Sequence, residues 1–244
     1  PILLSSHNQD ILYYGGNKLH RSLNQGDDWT AISDDLTQGG KKGNVAFGTL
    51  TTISESPAQF GFLYTGSDDG YAYRSENGGG SWDRISDELP QNLWVSRIVA
   101  SEHQKERVYI TLNGYRDDDF KSYVYVSENK GDVWRSINAN LPNSLINVIL
   151  EDPNNDQILY LGNDQGTYIS FDQGERWSEF KNGVTTAAVH DLVIQPEANH
   201  LLIGTHGRSI YKTDLAPFNK VNANFLKQEL ILLDLQKVKH SSRW

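Results

Sequence analysis

The chain has 244 residues, with 31 acidic against 22 basic side chains and a formal net charge of -9. The absence of cysteine excludes a disulfide scaffold, a thiolate metal site and a cysteine nucleophile. The acidic balance, with no basic run longer than Lys41-Lys42, excludes the basic stripe that nucleic-acid binding needs, and no apolar stretch of about 18 residues spans a membrane.

Methionine is also absent and the chain opens at Pro1, as a processed or excised piece would. The first unit, residues 1–36, reads as strands at Ile2–Asn8, Ile11–Gly15, Lys18–Ser22 and Trp29–Ser33, followed by a glycine-rich link, Thr37–Asn44. The second unit, 45–90, repeats the scheme with Thr51–Pro57, Phe62–Gly66, Tyr71–Ser75 and a strand starting near Trp82. The third, 94–142, has Ser96–Ser101, Arg107–Thr111, Tyr123–Ser127 and a start near Trp134. The fourth, 146–183, has Asn147–Pro153, Ile158–Gly162, Thr167–Ser170 and a start near Trp177. The fifth, 188–214, carries Asp191–Pro196, Leu201–Thr205 and Ser209–Thr213. Residues 215–244 form a C-terminal extension whose apolar run, Phe225–Leu235, is read as a strand completing the last unit or a short helix against it.

Four short strands every 40–55 residues or so, joined by glycine-rich hairpins, predict an all-β fold: a β-propeller of four-stranded antiparallel blades, about five of them visible. A repeated box, Ser-x-Asn/Asp-x-Gly-x-x-Trp, lies between the third and fourth strands of four units. Its members are Ser22, Asn24, Gly26 and Trp29; Ser75, Asn77, Gly79 and Trp82; Ser127, Asn129, Gly131 and Trp134; and Ser170, Asp172, Gly174 and Trp177. The hydroxyl and the Asn or Asp side chain accept backbone N–H groups, the glycine supplies positive φ, and the indole fills the space between blades. Asn replaces Asp in three of the four boxes, which suits a capping acceptor and not a catalytic carboxylate. The box is therefore read as structural. If five blades close alone, the first and last must pair. If they do not, two apolar faces are exposed and further blades come from another chain or another segment.

This box resembles the Asp-box shared by sialidases, xyloglucan-cleaving glycoside hydrolases, the luminal propeller of sortilin and photosystem II assembly propellers. Together with Leu12–Ser22, Ala31–Thr37, Trp94–Ile98, Gly114–Phe120, Val189–Pro196 and Gly204–Tyr211, it makes the chain resemble bacterial secreted sortilin-like or BNR-repeat "glycosyl hydrolases" over residues 1–215. The resemblance implies a C-terminal portion of a longer propeller protein or a reduced relative, located outside the cell or in the periplasm. In the xyloglucan-cleaving relatives, the acid and base are aspartates supplied by two propeller domains.

In such a fold the innermost strands and the loops entering them form a ligand-binding face. Aligning the units puts Thr52, Arg97, Asn147 and Asp191 at equivalent positions, preceded by Thr51, Ser96, Ile146 and His190. The insertion Asn113–Ser122 adds Tyr115, Arg116, Asp117, Asp118, Asp119 and Phe120, which offer acid–base carboxylates, oxygen ligands, or a solvated turn stapled by the two aromatics. It lacks the alternating spacing of a calcium loop, so no metal is assigned. His206 and Arg208 form a further cluster near His190, and Trp94 is a candidate for stacking on a sugar ring. The expected function is a secreted module binding a glycan or peptide segment through Arg97, Trp94, Tyr115, Arg116, Asn147, His190, His206 and Arg208. The alternatives are a glycoside hydrolase using Asp117, Asp118, Asp119 or Asp191 with a second carboxylate, and a structural part of a larger surface protein. No cofactor is expected. The partners would be polysaccharide or peptide, and the remainder of a larger propeller.

Overall fold

The computed structural model describes residues 1–39, 47–181, 183, 186–218 and 221. The regular structure among them is β, with a 3-10 turn at Tyr115–Asp117 and 3-10 backbone at Phe218. Sheet 1 consists of β1 (Ile2–Leu4), β2 (Leu12–Gly15), β3 (Leu19–Ser22) and β4 (Thr30–Ala31). Sheet 2 consists of β5 (Leu50–Glu55), β6 (Leu63–Ser67), β7 (Ala72–Ser75) and β8 (Asp83–Arg84). Sheet 3 consists of β9 (Trp94–Ala100), β10 (Val108–Gly114), β11 (Asp119–Ser127) and β12 (Arg135–Ser136). Sheet 4 consists of β13 (Ile146–Glu151), β14 (Leu159–Asn163), β15 (Gly166–Ser170) and β16 (Ser178–Glu179). Sheet 5 has three described strands, β17 (Val189–Gln195), β18 (His200–Thr205) and β19 (Ile210–Asp214). Every sheet is an antiparallel meander in sequence order, as propeller-like blades are.

Each sheet has two apolar faces and none is stable alone, so the core is a series of layers between neighbours. Between sheets 1 and 2 the layer includes Tyr13, Leu19, Leu50 and Leu63. Between 2 and 3 it includes Tyr64, Ile85, Val95 and Ile110. The next two layers centre on Tyr109, Ile149 and Trp177, and on Tyr160, Val189 and Ile203. The second strands β6 and β14 lie between two neighbouring sheets, and every one of their residues is buried. That is why these strands, Leu-Tyr-Thr-Gly-Ser and Leu-Tyr-Leu-Gly-Asn, do not alternate apolar with polar residues.

The repeated turn explains both hairpin geometry and sheet spacing. Gly26, Gly79, Gly131 and Gly174 donate their N–H groups to Ser22, Ser75, Ser127 and Ser170 Oγ at 2.8–2.9 Å. Each of these glycines has φ between 87° and 99°. Asn24, Asn77, Asn129 and Asp172 accept the amide four residues on at 2.9–3.0 Å. The glycine also permits close approach: a Cβ on Gly79 would lie 2.5 Å from the Ile32 carbonyl oxygen of the preceding sheet. The indole then crosses the junction. Trp82, Trp134 and Trp177 Nε1 donate to the carbonyls of Ile32, Ile85 and Ile137 at 2.9, 2.7 and 2.7 Å. Trp29 differs, because no described sheet precedes it, and it is 44% exposed. At the last junction Phe218 packs on Phe171 and Phe180 at 5.9 and 5.7 Å, taking the place of a box tryptophan.

Buried acids tie alternate junctions. Glu55 accepts from Ser5 Oγ at 2.6 Å and Tyr13 OH at 2.9 Å, and Glu151 accepts from Ser101 Oγ at 2.7 Å and Tyr109 OH at 2.9 Å. The register puts Ala100 at the corresponding position in sheet 3, and the Tyr64 hydroxyl facing it has no partner. Burial first, and the adjacent Glu55 and Glu151 carboxylates second, push the Tyr13 and Tyr109 hydroxyls far above the ordinary tyrosine range.

The structure departs from the sequence reading at one insertion. The insertion after β10 is mainly strand extension: β10 runs to Gly114, and β11 resumes at Asp119 after the 3-10 turn. Tyr115 and Phe120 do not staple it, since they are 65% and 53% exposed. The chain pairs with itself across this stretch instead, and Tyr123 OH donates to Asp119 Oδ2 at 2.6 Å. The apolar run Phe225–Leu235 and residues 40–44 of the Thr37–Asn44 link lie outside the described residues.

Candidate functional site

A cavity of about 520 Å3 opens where the innermost strands of sheets 2 to 5 converge. Its shape follows from a bulge repeated in each strand. Opposite β6, β10, β14 and β18, the register skips one residue, which is Thr51 in β5, Ser96 in β9, Asn147 in β13 and His190 in β17. A bulged residue is released from ladder pairing and its side chain is re-aimed, and all four line the cavity. The pairs that follow the bulge are Thr52–Gly66, Arg97–Thr111, Val148–Gly162 and Asp191–Gly204. Asn147 is therefore equivalent to Thr51, Ser96 and His190, and not to Arg97 and Asp191 as the sequence alignment had it. The bulge is present in all four strands, so the alignment is one residue out in the fourth unit alone. Glycine opposite the bulge lets the next sheet close in: a Cβ on Gly162 would lie 2.5 Å from Val189 Cγ1.

The bulged side chains also bridge to the following sheet. Thr51 Oγ1 donates to the Val95 carbonyl at 2.6 Å, and Asn147 Nδ2 donates to the Val189 carbonyl at 3.2 Å. Asn147 Nδ2 also donates to Asp164 Oδ1 at 2.9 Å, and its Oδ1 accepts from Asn113 Nδ2 at 3.0 Å. Asp164, in the β14–β15 turn, thus presents a carboxylate on the cavity wall. The sequence reading missed it. The available signal was the short turn Asn163–Gly166, immediately beside the bulge in space but 17 residues away along the chain.

Arg97 Nη2 reaches from sheet 3 to Asp191 Oδ1 on sheet 5 at 2.6 Å, while Arg97 Nε is buried without a partner. The side chains are 33% and 56% exposed, so solvent screens the pair and it orients more than it stabilises. The rings of His190 and His206 stack at 5.3 Å with 28° between their planes. Trp94 lines the cavity and is half-buried, and its Nε1 has no partner. One face of its ring is covered by the Arg116 guanidinium at 4.9 Å. Arg116 Nη1 in turn donates to the buried Asp68 Oδ2 at 2.9 Å, whose other oxygen accepts from Gly48 N and Thr49 N at 2.9 and 2.8 Å. Arg116 therefore clamps the insertion to sheet 2 and does not line the cavity. It leaves Tyr115 as the exposed aromatic at the rim.

The structure places Arg97, Trp94, Tyr115, Asn147, His190 and His206 on one cavity. Asp117, Asp118 and Arg208 are exposed and are not among its lining residues, nor is Asp119. The hydrogen bond from Tyr123 holds the Asp119 carboxyl below its usual range, and burial together with that bond pushes Tyr123 up to about 12. Among the described residues no three His, Cys, Asp or Glu side chains gather to hold a metal ion, and no helix is long and apolar enough to cross a membrane.

A family model described as sortilin-Vps10 (sortilin, neurotensin receptor 3) matches residues 122–216. A xyloglucanase of Paenibacillus sp is 27% identical over 152 residues, which is 56% of this chain and 14% of that protein. The GH74 xyloglucanase structure from Xanthomonas campestris aligns with a TM-score of 0.67 at 14% identity, covering 88% of this chain and 37% of that one. The structure titled YCF48 bound to D1 peptide aligns with a TM-score of 0.59 at 16% identity, covering 88% of this chain and 64% of that one. These likenesses show the fold alone: antiparallel sheets arranged as propeller-like blades. The chain spans about a seventh of the curated relative it matches and about a third of the first structure.

Proposed function

We propose that the cavity binds a segment of a β-linked polysaccharide, as one wall of the cleft of an extracellular or periplasmic glycoside hydrolase of propeller type. The observation that carries this reading is the cavity wall itself. One carboxylate, Asp164, is oriented by the Asn113–Asn147 amide chain beside the exposed Tyr115 ring. Tyr115 supplies a stacking surface for a sugar ring, and Asn147, Arg97 and Ser96 supply hydrogen bonds to hydroxyls. Asp164 serves as acid or base, and its counterpart across the cleft comes from chain beyond these residues, at the roughly 5–10 Å that glycosidases use. Asp191, already engaged by Arg97, orients and does not react. The likeness to xyloglucan-cleaving proteins supports a xyloglucan-type substrate.

The test is calorimetric titration with xyloglucan, cellulose, xylan and mannan oligosaccharides, alongside reducing-sugar assays of the longest secreted form. Tyr115→Ala should weaken binding about 10- to 100-fold, the loss of one stacked aromatic anchor. Asp164→Asn should leave affinity within a few-fold and abolish cleavage. If no glycan binds, or both variants match the parent chain, the reading is wrong. A peptide ligand is the second reading, favoured by the paired amides of Asn113 and Asn147, which match a peptide backbone in donors and acceptors. Saturable binding to a peptide array, abolished by Asn147→Ala, would replace the glycan.

A further inference from the structure

The rim between sheets carries a groove, and the same chain shows elsewhere what fills such a groove. Strand pairing turns Ser178 toward β15 and Asp83 toward β7, so the main chains of Trp177 and Trp82, one residue earlier, face away from their own sheets. At the junction of sheets 3 and 4, Asn140 covers that edge. Its Oδ1 accepts from the Trp177 N–H and its Nδ2 donates to the Trp177 carbonyl, both at 2.8 Å. The side-chain amide supplies the donor and the acceptor that a neighbouring strand would supply. Beside it Trp177 is 3% exposed, and Tyr168, two residues before the box serine Ser170, is 8% exposed.

Asn140 lies three residues after Ile137, whose carbonyl accepts the Trp177 indole. At the junction of sheets 1 and 2 the same place, three residues after Ile32, belongs to Asp35. A carboxylate has acceptors only, so it has nothing to donate to a carbonyl. Asp35 turns to its own unit, accepting from Asn17 Nδ2 at 2.8 Å and from Thr37 Oγ1 at 2.6 Å. Among the described residues, the position that Asn140 fills is here a cavity of about 510 Å3, whose walls include Asp34, Asp35, Leu36, Tyr73, Gly80 and Trp82. Tyr73 and Trp82, the equivalents of Tyr168 and Trp177, are only half-buried. The groove therefore combines an edge donor and acceptor with two part-exposed rings, and the exposed Asp34 and Asp35 make its rim acidic.

We propose that this groove is a second binding site, separate from the cavity on the innermost strands, and that it takes the carboxamide side chain of an Asn or Gln in a partner peptide with Lys or Arg beside it. The amide oxygen accepts from the Trp82 N–H and the amide nitrogen donates to the Trp82 carbonyl, as Asn140 does at Trp177. The peptide covers the exposed parts of the Tyr73 and Trp82 rings, and its cation stands by Asp34. An Asp or Glu side chain lacks the donor and meets an acidic rim, so the groove refuses it.

The test is amide-resolved NMR titration of the isotope-labelled chain with an acetylated pentapeptide, Ala-Lys-Asn-Lys-Ala ending in an N-methylamide, and with its Asp and Leu counterparts at the central position. The Asn peptide should shift the Trp82 amide saturably and leave the Trp177 amide, already bonded to Asn140, where it is. The Asp and Leu peptides should bind about 10-fold more weakly, the loss of one or two hydrogen bonds. Asp34→Lys, a change on an exposed side chain, should weaken the Asn peptide about 5-fold. Asn140→Ala uncovers the Trp177 main chain, so the Asn peptide should then shift the Trp177 amide as well. The readout at Trp82 is independent of any ligand in the cavity, which Trp82 does not line. A Trp82 amide that does not move, one that moves equally with all three peptides, or a folded Asn140→Ala chain whose Trp177 amide ignores the peptide would overturn the proposal.

Discussion

Trp177 and Trp29 occupy the same position in the repeated turn but sit in opposite environments, so replacing each by alanine isolates what a junction contributes. Trp177 is 3% exposed and donates to the Ile137 carbonyl at 2.7 Å. Burying an aromatic side chain removes roughly 200 Å2 from water, which at about 25 cal/mol per Å2 is worth around 5 kcal/mol. Large-to-small substitutions of buried aromatics cost about 3–5 kcal/mol, and leaving the Ile137 carbonyl unpaired adds about 1 kcal/mol. Trp29 is 44% exposed, and its neighbours Tyr14 and His20 are free to close over the gap, so Trp29→Ala should cost about 1–2 kcal/mol, by the same area scale. The assay is thermal and urea unfolding, each followed by far-ultraviolet circular dichroism. Trp177→Ala should lower the melting temperature by about 10 °C or more, at roughly 2–4 °C per kcal/mol for a chain of this size. Trp177→Phe should lose only the smaller part, about 1–2 kcal/mol, because the ring still fills most of the space. Equal losses for the two alanine variants would show that the indole stabilises its own hairpin and not the junction.

The other expectations concern polar groups. Tyr64→Phe removes a buried hydroxyl with no partner and should be neutral or slightly stabilising, whereas Tyr109→Phe removes a donor to the buried Glu151 and should cost about 1.5–3 kcal/mol in the same unfolding assay. Tyr123 titrates near 12 in the folded chain against an ordinary 10.0, so its protonated form is favoured by folding. The associated stability is complete below about pH 10 and is lost as pH rises toward 12; thermal melts across that window should be flatter for Tyr123→Phe. Asp119 is depressed, so its contribution is present above about pH 4 and fades as pH falls through its lowered value. Asp119→Asn should therefore shallow the acid limb of the melting profile. Arg116→Ala should raise proteolysis of the Tyr115–Asp119 segment by releasing its contact with Trp94 and Asp68, with little change in melting temperature.

The sequence by itself determined the local units. Ser, Asn and Gly at fixed spacing close the same turn wherever they occur, because every acceptor and donor in it lies within four residues along the chain. Strand identity followed from apolar runs bounded by glycine, and five such sets of runs became five sheets. The cavity was only partly legible. Arg97, Trp94 and His190 stood out as unusual residue types beside innermost strands, but Asn147 was set one position out in its unit, because only the pairing with β14 shows that Asn147 and not Ile146 is the bulged residue. Asp164 was missed because its importance comes from an amide 17 residues away, and its short turn was the one signal for it. The Arg116 clamp and the Glu55 and Glu151 ties depend on partners in a neighbouring sheet, 42 to 50 residues distant.

The opening counts acquire a sharper meaning from these contacts. With no cysteine to cross-link it, the chain holds its sheets together by indoles and buried acids that reach from one sheet to the next. Composition determined that such inter-sheet packing was needed. Only the tertiary structure decided which faces meet, because each junction selects its pairs by register across the gap between sheets.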